Sequence, residues 1–289
     1  MQIKKIVSGI VLMLPGLLVI QGCSGVAGSS AANHEVATLS VLESLSDSEI
    51  NNAKSKLVIA YGHTSHGSQI DTGLDGLVEF MNGRGRTNNL YDGLDLRCDM
   101  GGYGSAYGAS DLNQSNYGDW VDATRLYLSS HSEINVVIWS WCAGVSHADE
   151  TIINTYLSDM TQLESDYPDI VFVYMTGHLD GTGVDGNLNL RNEQIRDYCR
   201  DNNKVLFDFA DIESYDPDGL VNYMGLLCTD NCDYDSNGDG SQDTNWATVW
   251  QTANPGEWYS CSPEHTQALN ANMKAYAFWY LMVQIANRM

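Results

Sequence analysis

The chain has 289 residues and a formal net charge of −23 at pH 7, from 14 Lys and Arg against 37 Asp and Glu. Hydrophobic residues make up 43% of the chain, a composition typical of a globular protein rather than a disordered one. Nucleic-acid phosphates repel so acidic a protein unless it carries a dense basic patch, and its Lys and Arg are thinly scattered. We therefore expect no nucleic-acid partner.

The first 22 residues have the pattern of an export signal. After a short basic start, an almost wholly apolar run covers residues 6–20, and Gly22 stands directly before Cys23. This junction resembles the lipobox of bacterial lipoproteins, whose cysteine is acylated; an ordinary secretory signal with a fortuitous cysteine is the alternative. We expect lipidation at Cys23, a flexible tether over residues 23–40 and a location in the cell envelope, at the outer membrane or cell surface. Membrane contact would be through the lipid anchor only.

From about residue 41 the sequence alternates between short helices and apolar strands. Ser46 and Glu49 form the capping-box pattern at the start of a helix over residues 47–53. The other predicted helices cover residues 70–81, 120–129, 151–167, 187–202 and 266–288. The predicted strands cover residues 56–61, 95–98, 135–141, 169–175 and 204–209. Apolar strands separated by helices imply a parallel sheet covered on both faces, so we predict one α/β domain over residues 41–289 with an acidic, cysteine-containing insertion near 216–260.

Polar residues follow each predicted strand, and they are the candidates for function because ligands bind beyond the carboxyl ends of the strands in an open α/β sheet. Ser65 follows the first strand at a turn into a helix, and His265 stands just before the last helix. A nucleophile, a base and backbone N–H groups are the parts that acyl transfer needs. We therefore predict that Ser65 attacks a carbonyl and that His265 removes its proton. Capping of the following helix is the alternative role for Ser65.

The order of these motifs resembles that of the SGNH (GDSL-like) hydrolase superfamily, over roughly residues 55–285. Residues 63–67 (His-Thr-Ser-His-Gly) resemble the first block, residues 101–102 (Gly-Gly) the second, and residues 261–265 (Cys-Ser-Pro-Glu-His) the last. The resemblance implies a flavodoxin-like three-layer sandwich with a parallel sheet between helices, Ser65 as nucleophile and His265 as base. It also implies an oxyanion hole lined by Ser65, Gly102 and Cys142.

The sequence departs from the superfamily pattern at two places besides the missing Asp before Ser65. The third block should present an Asn after the third strand, where residues 140–142 read Ser-Trp-Cys, and Ser262 replaces the Asp expected three residues before the base. Asp211 and Glu264 are the candidate substitutes for the orienting acid, with a backbone carbonyl as the alternative. Thr64, one position before Ser65, is a weaker candidate nucleophile.

Two patterns raise the question of metal binding. The first is a set of three imidazoles and one carboxylate, which are ordinary ligands for a divalent ion: His63, His66, His178 and Asp180. The alternative is that these histidines are structural. An acidic stretch resembles the calcium loops of EF-hand-like and dockerin-type repeats. Its candidate ligands are Asp233, Asp235, Asn237, Asp239 and Asp243. Whether the loop is counted from Asp233 or from Asp235, no acid stands at its position twelve, where calcium loops of this kind have one. A solvated acidic turn is therefore the alternative, and any calcium is expected to be structural.

Besides Cys23, the chain has six cysteines, and an even number in an exported chain favours disulfides without fixing their pairing. They are Cys98, Cys142, Cys199, Cys228, Cys232 and Cys261. Zinc binding at the Cys228-x-x-x-Cys232 spacing is the competing interpretation, although no second Cys/His pair has finger spacing.

Together these observations predict a secreted, lipid-anchored serine hydrolase that cleaves an ester and requires no cofactor for catalysis. Its expected substrate is a small ester or an acylated polysaccharide, since 7 Trp and 16 Tyr offer rings that stack on sugars. A carbohydrate deacetylase is the specific form of this prediction. The alternatives are a non-catalytic cell-surface binding protein on the same fold and a His/Asp metal-dependent hydrolase.

Overall fold

The computed structural model describes residues 31–102, 109–112 and 119–289. The predicted signal peptide, the lipidation site Cys23 and residues 23–30 of the predicted tether lie outside the described residues. The prediction of a tether is wrong for residues 31–40, because Ala31 and Ala32 pair with Leu206 and Phe207 in the sheet and Ala37 is fully buried, so the domain includes this segment. The helices are α1 (Leu39–Ser44), α2 (Asp47–Lys56), α3 (Ser68–Gly83), α4 (Asp119–Ser130), α5 (Glu150–Asp166), α6 (Asn187–Asp201), α7 (Phe209–Glu213), α8 (Trp246–Ala253) and α9 (Ala268–Ala286). The strands are β1 (Ala31–Ala32), β2 (Val58–Gly62), β3 (Asp95–Arg97), β4 (Val136–Trp139), β5 (Val171–Met175), β6 (Val205–Phe207), β7 (Asp233–Tyr234) and β8 (Thr244–Asn245).

Local signals in the sequence set where these elements begin. The predicted capping box is present: Ser46 Oγ accepts a hydrogen bond from Glu49 N, and the Glu49 carboxylate accepts one from Ser46 N at 2.9 Å. Asp149 caps α5 in the same way, through a hydrogen bond from Ile152 N. These side chains satisfy backbone N–H groups that have no partner within the first turn of a helix.

Six strands form one parallel sheet in the order β1-β6-β5-β4-β2-β3. The strands are largely buried because helices cover both faces of the sheet, as their near-continuous apolar sequences predict. The predicted α/β class with a parallel sheet between helices is therefore confirmed. If β2 to β6 are renumbered 1 to 5 in chain order, their order across the sheet is 2-1-3-4-5. This order is compatible with a flavodoxin-like three-layer sandwich.

The order of the sheet reverses between β2 and β4, because the chain leaves β2 toward β3 on one side and returns as β4 on the other. Such a reversal opens a crevice at the carboxyl ends of the two strands. Here β2 and β4 pair from Ile59 with Val136 to Gly62 with Trp139, and Ser140 N continues the ladder by donating to Gly62 O at 2.9 Å. The residues that follow Gly62 and those that follow Ser140 therefore lie next to each other in that crevice.

The C-terminal helix α9 is buried on nearly all sides and packs against α1, α2 and α3. It carries Lys274, whose side chain is fully buried and forms an ion pair with the equally buried Glu213 at 2.7 Å. The other Glu213 oxygen accepts a hydrogen bond from Leu179 N at 2.7 Å, and Lys274 also lies over the Phe209 ring. Partners on every side offset the cost of burying two charges. No described helix is long and apolar enough to cross a membrane.

The region predicted as an insertion contains a 3₁₀ turn over Tyr223–Leu226, the antiparallel pair β7–β8 and helix α8. A single antiparallel bridge joins Thr229 to Asp180, just beyond the end of β5. This contact brings residue 230 to the same edge of the sheet as the loops that follow β2 and β4.

The six described cysteines are free thiols, so the expected disulfides are not formed. The thiols instead contact polar groups on other elements: Cys232 Sγ lies 3.5 Å from Thr266 Oγ1, and Cys261 Sγ accepts from Asn272 Nδ2 at 3.5 Å. An even count fails as a guide here because a disulfide also needs two closely placed Cβ atoms. Cys228 and Cys232 are both buried, and neither belongs to a cluster of three metal-ligating side chains in the described parts of the chain.

Candidate active site

Ser65 and His265 are brought together in the crevice, although 200 residues separate them in the sequence. Ser65 lies in the loop between β2 and α3, and its Oγ is 3.0 Å from His265 Nε2. The hydroxyl does not cap α3, because the N-cap of that helix is Gly67 and no side chain caps it. His265 has a left-handed backbone, with φ of 62°, which costs a non-glycine residue about 1–2 kcal/mol.

Neither predicted orienting acid contacts His265. Asp211 accepts hydrogen bonds from His34 Nδ1 at 2.6 Å and from His34 N at 2.9 Å, at the β1 side of the sheet. It is therefore committed elsewhere, and its assignment as the orienter is wrong. The Glu264 side chain is exposed, and in the described chain no carboxylate accepts a hydrogen bond from His265.

A second group of reactive residues lies beside Ser65. The Cys142 thiol, just beyond β4, is 3.3 Å from Ser65 Oγ and 3.2 Å from His66 Nδ1. The other nitrogen of His66, Nε2, is 2.9 Å from Asp230 Oδ2. Cys142, His66 and Asp230 thus form a hydrogen-bonded row of thiol, imidazole and carboxylate, the arrangement that activates a nucleophile in many hydrolases.

The charges of this row reinforce one another. The hydrogen bond from His66, which outweighs the effect of burial, lowers the pKa of the Cys142 thiol to about 6. Burial disfavours a charged imidazole, but the hydrogen bonds to Asp230 and Cys142 raise the pKa of His66 to about 9. Burial acts against the charged carboxylate too, yet His66 and His178 hold the pKa of Asp230 below its usual value. Near neutral pH the row is a thiolate, an imidazolium and a carboxylate.

Three imidazole rings are stacked in this crevice with His66 in the middle. The His178 ring lies 3.7 Å from His66 on one side, and the His265 ring lies 4.3 Å away on the other. His178 is held neutral with its proton on Nδ1, because that nitrogen faces Leu179 O while Nε2 accepts a hydrogen bond from Ala143 N. Burial, followed by the positive charge on His66, lowers the pKa of His178.

The predicted oxyanion-hole residues are placed around this crevice with different contacts. Cys142 contacts Ser65 through its side chain, whereas the predicted role uses a backbone N–H. Gly102 ends a short 3₁₀ turn over Met100–Gly102. At the preceding Gly101, a Cβ would lie 2.7 Å from the carbonyl oxygen of Ser110, so the turn has no room for a side chain.

Thr64, the weaker candidate nucleophile, donates its hydroxyl to the carboxylate of Asp111. Among the described residues, no hydrogen bond joins the Thr64 hydroxyl to His265, whose Nε2 contacts Ser65. Of the two adjacent hydroxyls, only that of Ser65 is paired with the predicted base.

The structure does not assemble the histidine metal set considered from the sequence. Asp180 accepts from Thr182 Oγ1 at 2.6 Å, and Asp230 takes its place beside His66 and His178. The ligating atoms of these three lie within 4.8 Å of one another. However, both nitrogens of each ring already have hydrogen-bond partners. His66 is bonded to Cys142 and Asp230, and His178 to the backbone of residues 143 and 179, so neither ring has a free lone pair for an ion.

In the acidic loop, the carboxylates that were predicted to bind calcium accept hydrogen bonds from nearby backbone and side-chain groups. Asp235 is buried and accepts four such bonds, from the N–H groups of residues 237–240. Asp239 accepts from Ser241, Asp243 from Asn237 Nδ2, and Asp233 from two Asn side chains. Within the described chain, no three Asp, Glu, His or Cys side chains of this loop converge. Calcium binding here stays a prediction.

Sequence reasoning missed Asp230 and the partnership of His66 with Cys142. Asp230 lies in the insertion, and no periodic pattern ties that segment to a strand end. The available signal was the unusual density of imidazoles in the loops after β2 and β5, since buried imidazoles need a partner for their N–H groups.

Comparisons with protein-family models, with curated proteins and with solved structures find no match. The resemblance to SGNH hydrolases therefore stays a prediction from sequence motifs, beside a confirmed fold class.

Proposed function

We propose that the protein is an ester hydrolase of the SGNH type in which Ser65 is the nucleophile and His265 the general base. The observation that supports this is the 3.0 Å contact between Ser65 Oγ and His265 Nε2 at the reversal point of the sheet. That distance lies within hydrogen-bond reach, as proton transfer from a serine requires.

The chemistry follows from this pair. His265 Nε2 takes the Ser65 proton as Oγ attacks the ester carbonyl, and the alcohol leaves with the proton that His265 returns. A water molecule, deprotonated by the same nitrogen, then releases the acid and restores the serine. Backbone N–H groups of Ser65, Gly102 and Cys142 are the proposed donors to the oxyanion.

Among the described residues no carboxylate orients the proposed base, and we propose that ring stacking restrains His265 instead. The His265 ring lies 4.3 Å from His66 and only 11° from parallel to it. This contact restricts rotation of the imidazole and keeps Nε2 directed at Ser65. His66 is in turn fixed at both nitrogens, by Cys142 and by Asp230.

A second candidate is a hydrolase that uses Cys142 as nucleophile. The observation that favours it is the complete row of Cys142, His66 and Asp230, which includes the orienting acid that His265 lacks. Both candidates form a covalent acyl-enzyme on the same side of the crevice, so they differ in the attacking atom rather than in the type of reaction.

Active-site labelling distinguishes the candidates. A fluorophosphonate probe is expected to label the wild type and the control Ser158→Ala, at an exposed serine of α5, and to fail on Ser65→Ala. Hydrolysis of p-nitrophenyl acetate is expected to follow the same pattern and to survive in Cys142→Ala. Loss of hydrolysis in Cys142→Ala with Ser65→Ala still active would assign the nucleophile to Cys142. A wild type that neither reacts with the probe nor hydrolyses esters would support the non-catalytic binding protein instead.

The substrate class and cellular location belong to the same proposal. An acylated polysaccharide fits an exported enzyme with many aromatic residues, and acetate release from acetylated xylan or peptidoglycan is the direct assay.

Attachment through Cys23 is tested by fractionation: wild type is expected with the membranes, and Cys23→Ala in the soluble fraction. A Cys23→Ala protein that stays with the membranes would contradict the lipid anchor.

A further inference from the structure

A second group of Cys, His and Asp side chains lies on the opposite flank of the Ser65 loop. It consists of His63 directly after β2, Asp71 in the first turn of α3, and Cys98 directly after β3. One ligating atom from each side chain lies within 4.8 Å of the other two. These residues take no part in the proposed hydrolysis, and three separate elements bring them together.

The tautomer of His63 leaves one nitrogen available as a ligand. His63 Nδ1 is 3.1 Å from Thr64 O, and a carbonyl only accepts, so the proton is on Nδ1 and the lone pair is on Nε2. A hydrogen bond from the second ring nitrogen to a backbone carbonyl is the usual support for a histidine that binds a metal.

Two atoms of this group are buried and unpartnered. Neither His63 Nε2 nor Asp71 Oδ1 has a hydrogen-bond partner among the described residues, although both are shielded from solvent. His63 Nε2 is 3.7 Å from Asp71 Oδ2, which is too far for a hydrogen bond. Buried polar atoms are nearly always paired, so two in one cluster indicate a missing partner that both atoms share.

We propose that His63 Nε2, an Asp71 carboxylate oxygen and Cys98 Sγ bind a Zn²⁺ ion. Mixed nitrogen, oxygen and thiolate ligands suit zinc, and the hard ions Mg²⁺ and Ca²⁺ prefer oxygen alone. Two nitrogen or oxygen ligands of a tetrahedral zinc lie about 3.4 Å apart, close to the observed separation of His63 and Asp71. The Cys98 thiol gives up its proton to solvent on binding.

The surroundings provide access for the ion and a fourth ligand. Asp71 and Cys98 line an open cleft of about 380 Å³, which Asp75 and Asp92 also line. The additional carboxylates attract a cation, and the cleft admits a water molecule to the fourth position. The bound ion would join the ends of β2 and β3 to the start of α3, beside the loop that carries Ser65.

The test measures zinc binding to the full-length chain, with a chromophoric chelator as competitor. Wild type is expected to bind one Zn²⁺ and to gain thermal stability from it. His63→Gln and Cys98→Ala are each expected to weaken this binding by more than about 100-fold, beyond the cost of losing an outer-shell partner. Cys142→Ala and His178→Asn are the matched controls for the other cluster and are expected to bind zinc like wild type.

Alkylation of Cys98 gives a readout that does not depend on folding of the variants. In wild type, saturating Zn²⁺ is expected to slow iodoacetamide labelling of Cys98, measured by peptide mass spectrometry, while labelling of Cys261 is unchanged. The proposal is overturned if Cys98 labels equally with and without zinc, or if binding survives Cys98→Ala and is lost in His178→Asn. Ester hydrolysis does not enter these measurements, so they stand or fall apart from the proposed activity.

Discussion

Two groups of the same composition flank the Ser65 loop and behave in opposite ways. On the β4 side, hydrogen bonds of 3.2 and 2.9 Å join Cys142, His66 and Asp230, and the pKa of the Cys142 thiol falls to about 6. On the β3 side, no hydrogen bond joins Cys98 to an imidazole among the described residues; burial and nearby carboxylates raise the pKa of its thiol to about 12. A list of reactive residue types therefore does not define a site, because contacts decide which atom holds the proton.

The rate of ester hydrolysis tests which side of the Ser65 loop takes part in the reaction. Ser65→Ala removes the hydroxyl proposed as the nucleophile and is expected to reduce ester hydrolysis by at least about 10³-fold. The matched change on the other flank, Cys98→Ala, is expected to leave the rate within a few-fold of wild type. Steady-state rates on p-nitrophenyl acetate check both. Equal losses in the two variants would show that the flanks do not differ in function.

The contrast between the two thiols is tested next by the pH dependence of alkylation. Cys142 is expected to react with iodoacetamide with a midpoint near pH 6, the pKa that its hydrogen bond from His66 produces. His66→Asn removes that imidazolium, so the midpoint is expected to rise toward about 8.5, the value of an ordinary thiol. Peptide mass spectrometry follows each cysteine separately. A midpoint that does not move in His66→Asn would contradict the ion pair.

The pH dependence of stability tests the ion pair between His66 and Asp230. His66 has a raised pKa of about 9, so its contribution is complete below its unfolded value of about 6.5 and is lost as the pH rises through 9. Asp230 has a lowered pKa, so its contribution is present above about pH 4 and is lost in acid. Asp230→Asn is therefore expected to cost most stability between about pH 4 and 6.5, and progressively less toward pH 9.

Urea denaturation at several pH values measures this, with Asp218→Asn, an exposed carboxylate, as control. The control is expected to follow wild type at every pH. A cost for Asp230→Asn that is the same at pH 5 and pH 9.5 would mean that the pair does not depend on the charge of His66.

The smallest expected effect concerns the backbone on the Cys142 side. Ala143 has a φ of 59°, a left-handed conformation that glycine adopts freely. Ala143→Gly is expected to raise the free energy of unfolding by up to about 1 kcal/mol, since relief of strain exceeds the added entropy of the unfolded chain. Thermal and urea unfolding check the sign. A loss of more than about 1 kcal/mol would show that the Ala143 methyl group contributes packing that outweighs the strain.

Local patterns predicted the six longest described helices, the strands β2 to β6 and part of the site. The short elements α1, α7, α8, β1, β7 and β8 were not predicted. The capping box at Ser46 was predicted because its two hydrogen bonds join residues only three positions apart. The meeting of Ser65 and His265 was predicted because the carboxyl ends of parallel strands share one edge. Asp230 was not found because its position depends on how an irregular insertion folds back, which has no periodic signal.

The incorrect predictions also failed because they depended on tertiary contacts that the sequence does not show. Asp211 was named from its place after a strand, yet the structure pairs it with His34 at the far side of the sheet. Disulfides were inferred from a count of cysteines, whereas bonding requires distances that a count does not contain. Residue type and chain position restrict the candidates, and tertiary contacts choose among them.

The buried Lys274–Glu213 pair has a consequence for the order of folding. Until residues 268–286 dock, the Glu213 carboxylate faces the space that α9 occupies without its cation, and the sheet lacks one of its principal covers. Glu213 also accepts from Leu179 N, so docking of α9 supplies the cation for the same carboxylate that holds the segment next to His178. The crevice and the interior are thus completed together by the last helix, and a shortened chain without it is expected to expose apolar surface and unpaired polar groups and to aggregate rather than form a smaller stable domain.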